Sequence, residues 1–187
     1  DIAKRTDRMI DPDALRQYYQ LYPHIIENTR KVLESCRIDI PAGLQNNRQT
    51  FTGSKEGDYG LLQKLALKGC EKRYGPDHPQ ALKRTRRELK VIRDQDFCSY
   101  FLITWDIVRY AESAGYHHVG RGSGANSIVA YCLYITDVDP LELDLYFERF
   151  INPYRVSPPD FDIDFSWDER DDVTDYIYQR YGKAHTA

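Results

Sequence analysis

Methionine occurs once in these 187 residues and tryptophan twice. Charge of neither sign prevails: 26 lysines and arginines face 29 aspartates and glutamates, a formal net charge of -3. Bulk charge therefore does not announce a nucleic-acid binder, although an average hides the local patches that matter. The four cysteines (Cys36, Cys70, Cys98, Cys132) form no CxxC pair, which argues against a cysteine zinc cluster or a dithiol motif. Reduced structural thiols in a cytosolic protein are the expected reading. No apolar run approaches the roughly 20 residues that span a bilayer, so no membrane association is expected. The start, "DIAKRTDRMIDPD", is not a signal peptide and lacks an initiator methionine. With the equally abrupt end "QRYGKAHTA", it reads as a piece of something longer. The length suits one domain, or one domain with an appendage.

Helical spacing recurs along the chain. "DPDALRQYYQLYPHIIENTRKVLESC" reads as two helices broken near Pro23, the first capped by Asp11 or Asp13. Ile25, Ile26, Thr29, Val32, Leu33 and Cys36 form one stripe, expected to be buried. Residues 41 to 58 hold turn formers and little periodicity, so they read as a connection and the best domain boundary. Three helices follow, in "YGLLQKLALKGCEKRYG", "HPQALKRTRRELKVIRDQ" and "YFLITWDIVRYAESAG". "YHHVG" is a candidate short strand, and "GRGSGANS" is a glycine-rich loop feeding the helix "NSIVAYCLYI". "DERDDVTDYIYQRYG" closes as a helix.

The chemistry concentrates in "SPPDFDIDF". Side chains alternate faces along a strand, so Asp160, Asp162 and Asp164 share one face while Phe161, Ile163 and Phe165 share the other. The apolar face docks on a core. The acidic face needs something positive, because adjacent carboxylates repel and resist desolvation. Same-face neighbours ~6.6 Å apart can converge on divalent ions held ~3.5–4 Å apart, as in two-metal phosphoryl-transfer sites. Oxygen-only ligands select hard ions, and magnesium is the natural occupant. A merely solvated or charge-protected edge strand stays open as the bland alternative. A calcium loop does not fit, because Phe165 stands where the turn needs glycine.

"GRGSGANS" (Gly120 to Ser127) offers three alternate glycines and then a helix start, a pattern that suits phosphate. Arg121 adds a cation and Ser123 a hydroxyl. Gly120, Gly122 and Ala125 also match the loose G-x-G-x-x-A dinucleotide fingerprint, which keeps a dinucleotide-binding oxidoreductase as the alternative function. There is no G-K-[ST], which excludes a Walker loop. A plain turn with a helix cap also stays open. Arg149 and Arg155 lie in sequence between the loop and the acidic strand and are candidates for phosphate, or for ion pairs such as Arg149 with Glu148 or Asp144. In "LKRTRRELKVIRD", Lys83, Arg84, Arg87 and Lys90 share roughly one helix face. They read as a phosphate-contacting surface or as a solvated face balanced by Glu88 and Asp94.

Taken together, "YFLITWDIV", "GRGSGANSIVAYCLYITDVDPLELDLYFERFINPYRVSPPDFDIDF" and "DERDDV" resemble the palm region of the bacterial replicative DNA polymerase III alpha subunits, the C-family polymerases. The resemblance runs from about Leu61 to Gly182. It implies an α+β fold, helix-rich, with a small mixed or antiparallel palm sheet of the nucleotidyltransferase-beta type. Residues 1–45 would be the helical tail of the preceding PHP domain and its connection, and residues 46–187 the N-terminal part of the palm.

The implied function is template-directed addition of dNTPs to a primer 3'-hydroxyl by two-metal transfer with Mg2+. The PDxDxDF motif of the family places catalytic, metal-holding aspartates at Asp160 and Asp162, with Asp164 a supporting carboxylate. The incoming triphosphate would meet Gly122, Ser123 and Arg149, with Arg121 beside it. The third catalytic aspartate and the fingers lie further downstream in the family, so this stretch alone is expected to be inactive. Implied partners are primer–template DNA and, in the whole protein, the sliding clamp, clamp-loader and proofreading exonuclease subunits, all cytoplasmic. The sequence departs from the family at Val119, where proline is usual, at Asn126, where a small residue is common, and at Pro158, where methionine is frequent. His117 and His118 are expected to be exposed loop residues.

Overall fold

The computed structural model describes residues 9–38, 50–152, 154 and 159–186. The chain divides into two compact units, Asp1–Gln45 and Asn46–Ala187. The expected boundary at 45/46 and the candidate Arg155 lie outside the described residues.

The first unit holds α1 (Pro12–Tyr18) and α2 (Pro23–Ser35). Asp11 caps α1 by accepting from the Asp13 N–H, and proline opens each helix, where its missing N–H costs nothing. The stripe expected to be buried on α2 is not. Val32 and Leu33 are 60% and 67% exposed, and Cys36 is exposed. A 3.6-residue period specifies a face, but only a partner surface buries it, and no residue of either helix is buried.

The second unit carries the core. α3 (Lys55–Tyr74) begins inside the stretch expected to be a connection. The Ser54 hydroxyl accepts from the Gly57 N–H, and the buried Asp58 carboxylate accepts from the N–H groups of Phe51 and Thr52. A run of turn formers thus hides a capped helix start. α4 (Pro79–Asp94) and α5 (Cys98–Ser113) follow, then β1 (His118–Arg121), a 3-10 turn (Gly122–Asn126) and α6 (Ile128–Cys132). After a second 3-10 turn (Phe147–Arg149) come β2 (Asp162–Phe165) and α7 (Arg170–Tyr181). The helix expected over "NSIVAYCLYI" stops at Cys132, and Tyr134 takes a φ of 61° just beyond it. His118 is not in an exposed loop: it is half-buried within β1, its Nε2 2.9 Å from the Tyr134 carbonyl. His117 is exposed.

β1 and β2 pair antiparallel, with Val119 opposite Asp164, Gly120 opposite Ile163 and Arg121 opposite Asp162. The fold is helix-rich α+β with a small antiparallel sheet. The core gathers Leu62 and Ala66 of α3, Leu89 and Ile92 of α4, Phe101 and Leu102 of α5, Val129 of α6, and Phe147 and Phe150, all at most 1% exposed. Each such large side chain contributes roughly 1.5–3 kcal/mol. No helix among the described residues is long and apolar enough to cross a membrane.

Candidate active site

Pleating sorts the acidic strand as its alternation implies. Ile163 faces the core, whereas Asp162 and Asp164 share the opposite face with Arg121 and Val119, their partners across the ladder. Val119 is accordingly 62% exposed. Just before β2, Phe161 anchors the segment. Its ring stacks on Tyr100 (centroids 5.4 Å apart), meets Phe101 edge-on at 5.1 Å and contacts Phe150 at 4.9 Å. The Phe161 N–H donates to the Tyr100 hydroxyl at 2.8 Å. Asp160, exposed, and Asp162 thus flank a residue fixed to the core by both ring and backbone.

The glycine loop arrives on the same strand pair. Gly122 has a φ of 73°, a left-handed backbone that glycine adopts without penalty. A Cβ placed there would lie 2.6 Å from Asp162 Oδ2. A Cβ on Gly124 would lie 2.6 Å from the Phe161 ring. Only glycine therefore lets this turn lie directly against both the carboxylate and its aromatic anchor. Loop and acidic strand, some forty residues apart in sequence, meet because β1 delivers one beside β2, which carries the other.

Arg121 is engaged with the carboxylates. Its Nε donates to Asp164 Oδ2 at 2.7 Å, and its Nη1 lies 3.6 Å from Asp162 Oδ2. The hydrogen bond to Asp164, then the charges of Asp164 and Asp162, hold its pKa above the ordinary arginine value. The three side chains are 44–59% exposed, so water screens the contact and an incoming cation or anion can compete for it. A positive group that faces the acidic strand is thus the protein's own Arg121.

Carboxylate oxygens alone present a donor set that suits a hard divalent ion. Among the described residues no group of three or more potential ligands gathers around one point. Asp160 and Asp162 stand on either side of the anchored Phe161, and Asp164 is turned to Arg121. Ser123 is half-buried in the turn, its carbonyl accepting from the Asn126 amide at 2.8 Å. Arg149 is exposed at the end of the second 3-10 turn, and among the described residues it forms no ion pair. Glu148, one of its expected partners, pairs instead with Arg87 at 2.7 Å.

Besides Asp58, two further buried carboxylates escaped sequence reasoning. Glu88 is fully buried, not part of a solvated face. It takes Arg84 Nε at 3.0 Å, the Ser127 hydroxyl at 2.8 Å and the Val129 N–H at 3.3 Å. Burial pushes its pKa up to about 7, held there against the lowering pull of Arg84, Ser127 and Val129. Asp106, its side chain 3% exposed, receives the hydroxyls of Tyr176 at 2.7 Å and Tyr181 at 2.8 Å, and Arg180 Nε at 3.3 Å. Burial works to raise its pKa, but those two hydroxyls and Arg180 outweigh it, and the carboxyl lies below its ordinary value. The signal for Asp106 was a lone charge in the apolar run "YFLITWDIV".

A dinucleotide site would set its glycine turn between a parallel strand and a full helix. Here β1 pairs antiparallel, and α6 spans five residues. The geometry does not favour the oxidoreductase alternative.

Comparison with known proteins places the same stretch. The family model for the bacterial DNA polymerase III alpha NTPase domain matches residues 60–187. DNA polymerase III subunit alpha of Bacillus subtilis (strain 168) is 41% identical over 179 residues, covering 94% of this chain and 16% of that protein. An error-prone DNA polymerase of Symbiobacterium thermophilum is 40% identical over 178 residues, again 94% of this chain and 16% of that protein. Another error-prone DNA polymerase, from Anaeromyxobacter sp. (strain K), is 47% identical over 124 residues, 66% of this chain and 11% of the relative. This chain is thus only a small part as long as the relatives it matches, and it belongs to the bacterial DNA polymerase III alpha family.

Proposed function

We propose that this chain is part of the catalytic subunit of a replicative, template-directed DNA polymerase, and that its second unit is the N-terminal part of a nucleotidyltransferase-beta palm. The observation that carries the reading is that Gly122 lies so close against Asp162 that a Cβ on it would stand 2.6 Å from Oδ2, which brings a phosphate-type glycine turn and a pair of carboxylates to one strand pair. Family membership supplies the reaction class. Asp160 and Asp162 would hold magnesium, which when bound would activate the primer hydroxyl and offset charge at the transferred phosphoryl group.

The chain's own groups have separate tasks. Gly122 and Ser123 offer close backbone approach and a hydroxyl to the triphosphate of the incoming dNTP. Arg149 offers a fork of donors suited to a phosphate oxygen pair. Arg121, which contacts Asp164 and Asp162, would be free to turn toward the triphosphate if a cation competed for those carboxylates. Residues 1–45 would come from the PHP domain's helical tail. On this reading the polymerase works in the cytoplasm on primer–template DNA, with sliding clamp, clamp-loader and proofreading exonuclease subunits.

Manganese is the test ion, because its binding is read directly by electron paramagnetic resonance. The parent chain is expected to bind Mn2+, and the Asp160→Ala, Asp162→Ala double variant to lose it. Equal binding by both would remove the metal site. By themselves these 187 residues are expected not to extend a primer, since the family resemblance puts a further catalytic carboxylate and the fingers elsewhere in the polymerase. Template-directed incorporation by the purified chain would refute that.

A further inference from the structure

Arg84 was one letter of a basic run, open to reading as a phosphate contact or a solvated charge. It is neither. Its side chain is 16% exposed, and its guanidinium is used up inside the protein. Nε donates to Glu88 at 3.0 Å and Nη1 to the Pro140 carbonyl at 3.1 Å. Nη2 donates to two carbonyls from separate stretches, Asn126 at 2.9 Å and Leu145 at 2.7 Å. Asn126 ends the glycine turn, and its side-chain amide holds the Ser123 carbonyl. Leu145 stands four residues before Arg149, on the run into the second 3-10 turn, which packs against the first. One nitrogen therefore ties the segment bearing Ser123 to the segment bearing Arg149.

Glu88 completes the device. It fixes Arg84 from the same face of α4 and receives the Ser127 hydroxyl and the Val129 N–H at the start of α6. The turn is thus gripped at its exit by both members of the pair. A buried guanidinium with four satisfied directions is a rigid spacer, because moving any one partner strands the others in a low-dielectric interior.

We infer that Arg84 is a positioning residue of the triphosphate site: by tying the Asn126 carbonyl to the Leu145 carbonyl, it sets the spacing between Ser123 and Arg149 that a triphosphate must bridge. The inference rests on the triphosphate reading of Gly122, Ser123 and Arg149 given above. Lysine at position 84 keeps the charge facing Glu88, but one ammonium cannot span three carbonyls. Two bindings are measured on this chain: dATP with Mg2+, followed by 15N NMR at the Ser123 amide and the Arg149 Nε, and Mn2+ alone. Mn2+ serves as the internal control, because the aspartate pair is anchored through Phe161 and Tyr100 rather than through Arg84.

In Arg84→Lys the dATP dissociation constant is expected to rise about tenfold, the cost of loosened charged hydrogen bonds. The Ser123 and Arg149 signals should shift already in the free protein, with Mn2+ affinity kept within about twofold, because Arg84 holds the exit of the turn at Asn126 and not Gly122, the residue that lies against Asp162. Unchanged dATP affinity would overturn the role of Arg84, and so would a parallel loss of Mn2+ binding, which marks general loosening. A parent chain that binds Mn2+ but no dATP would overturn the triphosphate reading itself and this inference with it. If Arg84→Lys does not fold, Glu88→Gln carries the test. It keeps the size and one acceptor for Arg84 while weakening its hold, and a smaller loss of dATP affinity, about threefold, is expected; no loss there would count against the inference.

Discussion

Gly122 shows how much one residue can carry. Its φ of 73° and the 2.6 Å that would separate a Cβ there from Asp162 Oδ2 impose two separate demands for glycine. Alanine would cost about 1 kcal/mol for the backbone alone. Its methyl would also push the Asp162 carboxylate aside, the group proposed to hold metal. Gly122→Ala is therefore expected to lower stability modestly, by about 1 kcal/mol in urea unfolding, while weakening Mn2+ binding several-fold. Intact Mn2+ affinity would show that the carboxylate moves without consequence. Gly124 differs, since its neighbour is the packed ring of Phe161, which cannot turn away. The alternate glycines thus read as a phosphate motif, yet two of them answer to packing, Gly124 against the Phe161 ring and Gly120 against the Ile135 carbonyl. Spacing in the sequence could not separate those roles, because the partner atoms arrive from elsewhere in the chain. Nor could spacing show that Arg121, a candidate phosphate cation by position, faces two aspartates across a ladder.

Elements are held in place by buried carboxylates whose partners lie far away in the chain. α5 and α7 meet at Asp106, with Tyr110 and Tyr176 stacked 3.8 Å apart beside it. Helical periodicity made both helices legible, and alternation made β2 legible. Neither says which helix a lone aspartate will bind, because hydroxyl donors 70 and 75 residues away carry no local signal. Asp106→Asn is expected to cost about 2 kcal/mol, the worth of hydrogen bonds to a charged group. The pH dependence separates this carboxylate from Glu88. The native pKa of Asp106 is lowered, so its contribution is present above its ordinary value of 3.8 and is lost as pH falls through the native one. Glu88 is raised from 4.5 to about 7, so its contribution is full below 4.5 and fades as pH rises through about 7. Urea midpoints against pH should show Asp106→Asn converging on the parent in strong acid. Glu88→Gln should flatten the parent's decline between pH 4.5 and 7; an unchanged slope there would mean that Arg84 holds the native carboxylate ionised throughout.

At the scale of the molecule, family and fold class were legible because whole words of the DNA polymerase III alpha family stand in the chain, from the loop through "PDFDIDF". Less legible was the unequal weight of the two units. Both show amphipathic helices, yet every buried side chain of the described residues lies between Asp58 and Tyr181. In α2 the apolar stripe is written into the sequence and left uncovered, whereas α3, α4 and α5 close around Leu62, Leu89 and Phe101. An amphipathic face states a requirement, and only neighbours of matching shape and length meet it. The second unit meets its own requirement. It has a contiguous core, capped helix starts at Ser54 and His78, and satisfied buried charges at Glu88 and Asp106. Residues 46–187 alone are therefore expected to unfold cooperatively, with calorimetric and van't Hoff enthalpies in agreement. Their unfolding midpoint should lie within a few degrees of that of the full 187 residues, since about 1 kcal/mol moves the midpoint of a domain this size by only some 2–5 °C. A broad, non-cooperative transition, or a midpoint lowered by more than about 10 °C, would mean that this core depends on residues 1–45.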